Sequence, residues 1–310
     1  METKTVVEAK GLTKKYSDQT VVNGIQFEVY QGECFGILGP NGAGKTTTLK
    51  MMYGSSLISS GDLYVLGLNV KQSPRQVKSR IGVVPQEDGL ETEFTVMENL
   101  LLYASFHGLE KSVSQNRADD LLRRMRLDEY SGKPVEFLSG GMRKRLSIAR
   151  GMINQPELIF LDEPTVGLDP QARIWIWEFL KRIKEDMGTV VLTTHYMEEA
   201  EQICDRVAIM DKGKILAIGK PKDLIKNLIG AQVVEFDVKD SDLNYYLNRL
   251  ASNSFQYQVI RNQVNVHLSD DQNSKSVLEI VSGRRVTVRT PTLSDVFLKL
   301  AGHDLRDEPL

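Results

Sequence analysis

The chain has 310 residues, 41% hydrophobic and 26% charged, with a formal net charge of −2. That length suits one large domain or two smaller ones, the composition excludes a disordered chain, and the near-neutral balance argues against an obligate nucleic-acid binder. Two cysteines, Cys34 and Cys204, without CxxC spacing, suggest neither a zinc site nor a disulfide framework and fit a reducing compartment; no apolar run reaches the ~18 residues of a membrane span, and the opening METKTVVEAKGLTKK holds no signal-peptide core.

Short β-like runs come first, at Val6–Tyr16, Val21–Val29 and Cys34–Gly39, followed by a helix from about Lys45. RIGVVPQ, Arg80–Gln86, reads as another strand. TVMENLLLYASFHGL (from Thr95), ADDLLRRMRL (from Ala118) and the stretch after Gly140 read as helices. ELIFLDE, Glu157–Glu163, and TVVLTTH, Thr189–His195, are apolar runs ending in polar groups, as buried parallel strands do. Between the last two, QARIWIWEFLKRIKEDMG sets Ile176, Leu180, Ile183 and Met187 on one helix face, with Trp175 and Trp177 flanking it as boundary packing. The pattern predicts an α/β fold with an all-helical insert over about 87–151. After DRVAIMDKGKILAIGKP the character changes. Gln232–Leu300 reads strand, helix, strand, strand, helix, strand, helix, whose β-α-β-β-α-β part matches a small ferredoxin-like unit.

GPNGAGKTT, Gly39–Thr47, carries the chemistry of a phosphate loop. Gly39, Gly44, Lys45 and Thr46 satisfy G-x-x-x-x-G-K-[ST] after a strand and at the opening of a helix. Across Gly39, Pro40, Asn41, Gly42, Ala43 and Gly44 the glycines let backbone N–H groups curl around phosphate oxygens without side-chain clash, and the helix start adds its dipole. Lys45 is expected to reach the β- and γ-phosphates, and Thr46 to ligate Mg²⁺. Further on, a strand buried on both faces ends in two adjacent acids, Asp162 and Glu163. A hard cation wants such oxygen ligands. Asp162 is expected to hold the metal through water, while Glu163 faces the γ-phosphate and polarises the attacking water.

With these residues in place the chain resembles the ATP-binding subunits of ABC transporters. LSGGM, Leu138–Met142, resembles the family signature LSGGQ and lies in the family order, after the phosphate loop and before the Asp-Glu strand. VVPQ supplies the Q-loop glutamine Gln86, GLDP the D-loop with Asp169, and TTH the switch histidine His195. Tyr16 stands where the family places an aromatic that stacks on adenine. The resemblance covers about Thr5–Leu228. Met142 departs from the usual glutamine, which puts in doubt only a polar contact at the helix start. The basic run Arg143–Arg145 reads as the solvated side of that helix. LSGGM, THYMEEAE and the ending TPTLSDVFLKLAGHDLRD resemble one sub-group, the daunorubicin-type drug exporters and nodulation-factor exporters.

The resemblance implies an ABC-type P-loop ATPase core over 1–228 and a C-terminal α+β accessory domain over 229–310. It implies ATP and Mg²⁺ as ligands, with Gln86 near the metal and the attacking water and His195 at the γ-phosphate. It implies that Ser139, Gly140 and Gly141 of one copy close over the phosphate loop of a second copy, so the expected partners are an identical chain and an integral membrane permease, with no nucleic acid. The expected location is peripheral, on the cytoplasmic face of the inner membrane, and the expected function is ATP hydrolysis powering an exporter. The spacing from Gln86 to Ser139, 139 − 86 = 53 residues, leaves no room for a long coiled coil. The alternative is a soluble ATPase of the same family acting on ribosomes or DNA. The tail is expected to serve a structural or dimer-contact role, with binding of a small regulator as its alternative. The cargo is open.

Overall fold

The computed structural model describes residues 4–269 and 271–302. Contacts divide the chain into two compact units, Met1–Ala217 and Ile218–Leu310. In the first, strands β1 (Thr5–Tyr16) and β2 (Gln19–Tyr30) pair antiparallel. Next come β3 (Cys34–Leu38), with all five side chains buried, and α1 (Lys45–Met52). β4 (Ser60–Val65) returns to β1, and β5 (Leu68–Asn69) completes a sheet ordered β2-β1-β4-β5. α2 (Pro74–Arg80) then leads into β6 (Ile81–Val84).

The insert follows as α3 (Val96–Phe106), α4 (Lys111–Arg124) and α5 (Gly140–Met152), with two short 3₁₀ turns between α4 and α5. A capping box explains why α3 starts where it does. Thr95 Oγ1 accepts from the Glu98 N–H at 3.2 Å and Glu98 Oε2 accepts from the Thr95 N–H at 2.7 Å. Beyond lie β7 (Leu158–Asp162), α6 (Pro170–Met187), β8 (Thr189–Thr194), α7 (Met197–Ile203), β9 (Arg206–Asp211) and β10 (Lys214–Gly219). On α6, Ile176, Leu180 and Ile183 are buried as the periodicity predicts, while the side chain of Met187 lies outside what is described.

The second sheet is ordered β10-β9-β3-β8-β7-β6. β3, β6, β7, β8 and β9 run parallel, so their apolar runs are continuous rather than alternating. The register sets Leu38 beside Thr194, Asp162 beside Thr193 and Val84 beside Leu161. Four strand ends, leading to Gly39, His195, Glu163 and Gln86, therefore emerge side by side at one edge. That carboxyl edge is where open parallel sheets bind ligands.

The second unit contains α8 (Pro221–Leu228), β11 (Gln232–Asp237), α9 (Asp240–Ser252), β12 (Gln256–Ile260), β13 (Gln263–Leu268), α10 (Ser274–Ile280), β14 (Val286–Arg289) and α11 (Leu293–Ala301). Its antiparallel sheet is ordered β12-β13-β11-β14, the arrangement a βαββαβ chain adopts when each helix crosses over one strand. Val234, Phe236, Val264 and Val266 face Tyr246 and Leu250 of α9 and Val277 of α10 in one apolar core. The other face, carrying Gln258, Asn265, Glu235 and Arg289, is covered by α11, where Gln258 Nε2 donates to the Leu298 carbonyl at 2.7 Å. The last part of the sub-group-like ending, 303–307, lies outside the described residues.

Candidate functional site

Two glycines of the loop between β3 and α1 are fixed by close approach. A Cβ on Gly39 would sit 2.1 Å from the Met210 carbonyl oxygen, and one on Gly44 2.8 Å from that of Val21. Gly44 also has φ 100°, a conformation other residues adopt at a cost. Inside the loop, the Ala43 N–H donates to the Pro40 carbonyl at 3.2 Å, and Ala43 is buried. A cleft of about 290 Å³ opens over this loop, lined by Val21, Asn41, Gly42, Gly44, Lys45, Thr46, Thr47, Gln86 and Glu163.

Lys45 is 4% exposed and its Nζ reaches both the Pro40 carbonyl, 3.0 Å away, and Glu163 Oε1, 3.2 Å away. Burial pushes the Lys45 ammonium below its ordinary pKa, opposed by the Glu163 and Asp162 carboxylates. Burial acts upward on Glu163, yet His195 and Lys45 outweigh it and hold its carboxyl below the usual range. Glu163 is therefore ionised at neutral pH, as a proton acceptor must be. Gln86 Nε2 donates to Glu163 Oε2 at 3.4 Å, and His195 Nδ1 lies 3.3 Å from Glu163 Oε1 without forming a hydrogen bond there. Glu163 has φ 46°, in the left-handed region that costs a non-glycine residue roughly 1–3 kcal/mol. Its N–H, held 3.1 Å from both the carbonyl and the hydroxyl of Thr193, keeps it in that conformation.

Asp162 stands beneath. Its Oδ1 accepts from Thr46 Oγ1 at 2.9 Å and from the buried Thr193 hydroxyl. A serine- or threonine-ended phosphate loop and a strand-end carboxylate thus meet across the sheet edge, giving the oxygen donors a hard cation requires. Lys45, Thr46, Thr47, Gln86, Asp162, Glu163 and His195 form one constellation.

Other predicted residues lie elsewhere. Tyr16 ends β1, 48% exposed, with the Lys14 ammonium 4.5 Å from its ring centre; its hairpin partner strand β2 brings Val21 to the cleft. Asp169 caps α6, accepting from the Ala172 N–H at 2.9 Å. Ser139 caps α5, its Oγ accepting from the Met142 N–H at 3.3 Å. That contact uses the Met142 backbone N–H, so the cap itself does not depend on the side chain at 142. Ser139 and Gly140 are exposed, and Ser139, Gly140 and Gly141 take no part in lining the cleft.

Within the basic run, Arg143 and Arg145 remain partly exposed, but Lys144 does not lie in solvent as composition predicts. Lys144 is 4% exposed and its Nζ donates to the carbonyls of Gln86 and Pro85, at 3.0 and 3.3 Å. Arg143 Nη1 donates to the Leu138 carbonyl at 2.8 Å, and the Arg145 guanidinium stacks 4.6 Å from the Trp175 ring centre. For Lys144 the cause is that α5 packs against β6 and meets the carbonyls of the loop that follows it. Sequence reasoning also missed Thr193 and Glu199. Buried Glu199 accepts from Thr165 Oγ1 at 2.7 Å and Trp177 Nε1 at 3.0 Å, tying the segment after Glu163 to α6 and α7. Only the polar end of an otherwise apolar strand could have pointed to Thr193.

Known proteins share this layout. A family profile described as "ABC transporter" matches residues 22–166, which contain the phosphate loop, Gln86, Ser139–Gly141, Asp162 and Glu163. The Nod factor export ATP-binding protein I of Ralstonia nicotianae is 42% identical, over 97% of this chain and 95% of its own. Among solved structures, a dimeric ATP-binding cassette in a post-hydrolysis state with ADP and Pi aligns with a TM-score of 0.63 at 27% identity, covering 69% of this chain and 98% of its own. The cbiO1 protein of Clostridium perfringens, part of the ABC transporter complex cbiONQ, aligns with a TM-score of 0.66 at 27% identity, covering 81% and 98%.

Proposed function

Because the chain belongs to the ATP-hydrolysing ATP-binding proteins of ABC transporters, we propose that two copies close around ATP and Mg²⁺, each cleft being completed by Ser139–Gly141 of the other copy. The observation that carries this reading is the division of the phosphate-binding groups within one chain. Lys45, Thr46, Asp162 and Glu163 converge at the cleft, while the exposed start of α5 presents its N–H groups elsewhere. A helix start is a natural anion site, and this one has no anion within its own chain to serve.

In the closed pair, Lys45 and the loop N–H groups hold the β- and γ-phosphates. Bound Mg²⁺ would neutralise phosphate charge, and Thr46, Asp162 and Gln86 are the residues that would hold it. Glu163 accepts the proton of the attacking water. Gln86 and His195, both against the Glu163 carboxylate, orient it, and His195 is placed to meet the γ-phosphate. Tyr16 stacks on the base, and Asp169, at the cap of α6, faces the partner copy. Loss of the γ-phosphate removes the contact that joins the copies, so hydrolysis reopens them.

No helix among the described residues is long and apolar enough to cross a membrane. The family and the relatives' transporter names support an integral membrane permease as the partner that receives the work, with this chain peripheral on the cytoplasmic face of the inner membrane. The relatives named for Nod factor export favour export as the direction and speak against a ribosome or DNA target. Residues 229–310 act as an accessory domain with a structural or dimer-contact role, a reading supported by the pairing of Arg289 with Glu235 and Asp295 among the described residues.

The test is the dependence of hydrolysis on protein concentration. Two-copy catalysis predicts that the rate per chain rises roughly in proportion to concentration while most chains are separate. A rate per chain that is flat over a hundredfold dilution contradicts it.

A further inference from the structure

Helix α5 grips the loop that carries Gln86 along one of its faces. Lys144, Ser147 and Arg150 recur every three residues and all donate to that loop. Lys144 Nζ donates to the Pro85 and Gln86 carbonyls, Ser147 Oγ to the Asp88 carbonyl at 3.5 Å, and Arg150 Nη1 to the Gly89 carbonyl. Asp88 answers from the loop, its Oδ1 lying 3.6 Å from Lys144 Nζ and its Oδ2 3.9 Å from Arg143 Nε. A buried ammonium has to recover its lost hydration, and here it does so with two successive backbone carbonyls and one carboxylate. Two carbonyls converging on one nitrogen orient the two peptide groups on either side of the Gln86 Cα. That orientation decides where the Gln86 side chain points, and it points at Glu163, with Nε2 3.4 Å from Oε2.

We propose that Lys144 is a positioning residue for hydrolysis: it holds the Gln86 backbone so that the Gln86 amide meets the Glu163 carboxylate. The inference rests on the roles given above to Gln86 and Glu163 and deepens them. It has a consequence for coupling. Lys144 lies five residues after Ser139 on the helix whose start closes over the partner's nucleotide. A displacement of that start by the partner's ATP is delivered through Lys144 to the general base of the chain's own cleft.

The experiment measures kcat and KM for ATP in the full chain, with Lys144→Met, Lys144→Arg, Gln86→Ala and the Lys144→Met/Gln86→Ala pair. Methionine keeps the apolar stem and removes the donor. Lys144→Met is expected to lower kcat about tenfold with KM within about twofold, and Lys144→Arg to recover most of the loss. In the Gln86→Ala background Lys144→Met should lower kcat by less than about twofold, because both changes act through one contact. Should the methionine variant fail to fold, Lys144→Gln, which keeps one N–H donor group, enters the same comparison. Equal losses in both backgrounds, or a rise in KM with kcat unchanged, overturn the inference while leaving the composite site intact. Wild-type kcat in Gln86→Ala itself overturns the role of Gln86 and the inference with it.

Discussion

Each of the two units buries a cluster of charge, and the clusters differ in what their polar atoms do. In the C-terminal unit Arg289 is closed on itself. Its Nη1 and Nη2 each reach an oxygen of Asp295 at 2.7 Å, and its Nε reaches Glu235 Oε1 at 2.6 Å. Asp295 also accepts from the Thr292 N–H at 2.8 Å, so the start of α11 is sealed into the same network. These contacts hold the Asp295 carboxyl below its usual range despite its burial. In the cleft, Lys45 has one carbonyl and one carboxylate, and Glu163 meets Lys45 and Gln86 at 3.2 and 3.4 Å, at the long end of hydrogen-bonding range, with His195 Nδ1 3.3 Å away and not hydrogen-bonded to it. A complete network stabilises a fold. A loosely joined one beside an open cleft is arranged to receive further charge.

The largest expected effect that sharpens this contrast is on Lys45. Lys45→Ala removes the nearest fixed cation from the phosphates and should weaken ATP binding roughly 10³-fold, about 4 kcal/mol, in a titration with a labelled ATP analogue. Unchanged affinity would take Lys45 out of the phosphate site. Arg289→Ala tests the other cluster. It leaves Asp295 and Glu235 uncompensated and should destabilise the C-terminal unit by about 3 kcal/mol, the lower end of the cost of breaking a buried pair, because the guanidinium is 30% exposed. Urea denaturation followed by hydrogen exchange should place that loss in residues 229–302, with ATP affinity unchanged.

A smaller effect comes from His267, on the face under α11. Burial, helped by Lys299, pushes its pKa down to about 4, so it is neutral when folded. The unfolded chain takes up a proton near pH 6.5, so between there and pH 4 the unfolded state binds more protons and stability falls as pH falls. Between pH 7 and 5 the loss should be about 2 kcal/mol, and His267→Gln should flatten it. An equally steep pH dependence in the variant would exclude His267 as its source. The smallest effect concerns base choice. Tyr16 offers a ring face, which any base can stack on, so ATP and GTP should compete within about tenfold of each other. A hundredfold preference for either would contradict this.

What was legible in the sequence follows from how local each signal is. The phosphate loop and the acid pair were readable because their chemistry sits in a few consecutive residues flanked by continuous apolar strands. The C-terminal strand and helix order was readable from alternation such as Val264, Val266 and Leu268 against Asn265 and His267. The stretch 53–80 carries no sequence expectation: β5 has two residues and α2 seven, too few for a period to show, and β4 opens with Ser60, Gly61 and Asp62 and buries only Leu63 and Val65. Helix α4 begins at Lys111, before the apolar pattern starts, its first turns being polar. Lys144 was misread for a reason that applies beyond this chain. Its partners are carbonyls 58 and 59 residues away, and backbone acceptors leave no trace in composition.

In the proposed cycle ATP joins two copies and Glu163 ends the joining. Glu163→Gln keeps the shape of the side chain but cannot take the proton, so hydrolysis should fall by roughly 10²–10⁴ while Asp162 and Lys45 still bind nucleotide. The most direct measurement is mass by light scattering of both forms with ATP and Mg²⁺. Glu163→Gln should double its mass on adding ATP and Mg²⁺ and return to one chain with EDTA, while the unsubstituted chain stays largely single. A variant that is inactive, binds ATP and still scatters as a single chain at high concentration would contradict it.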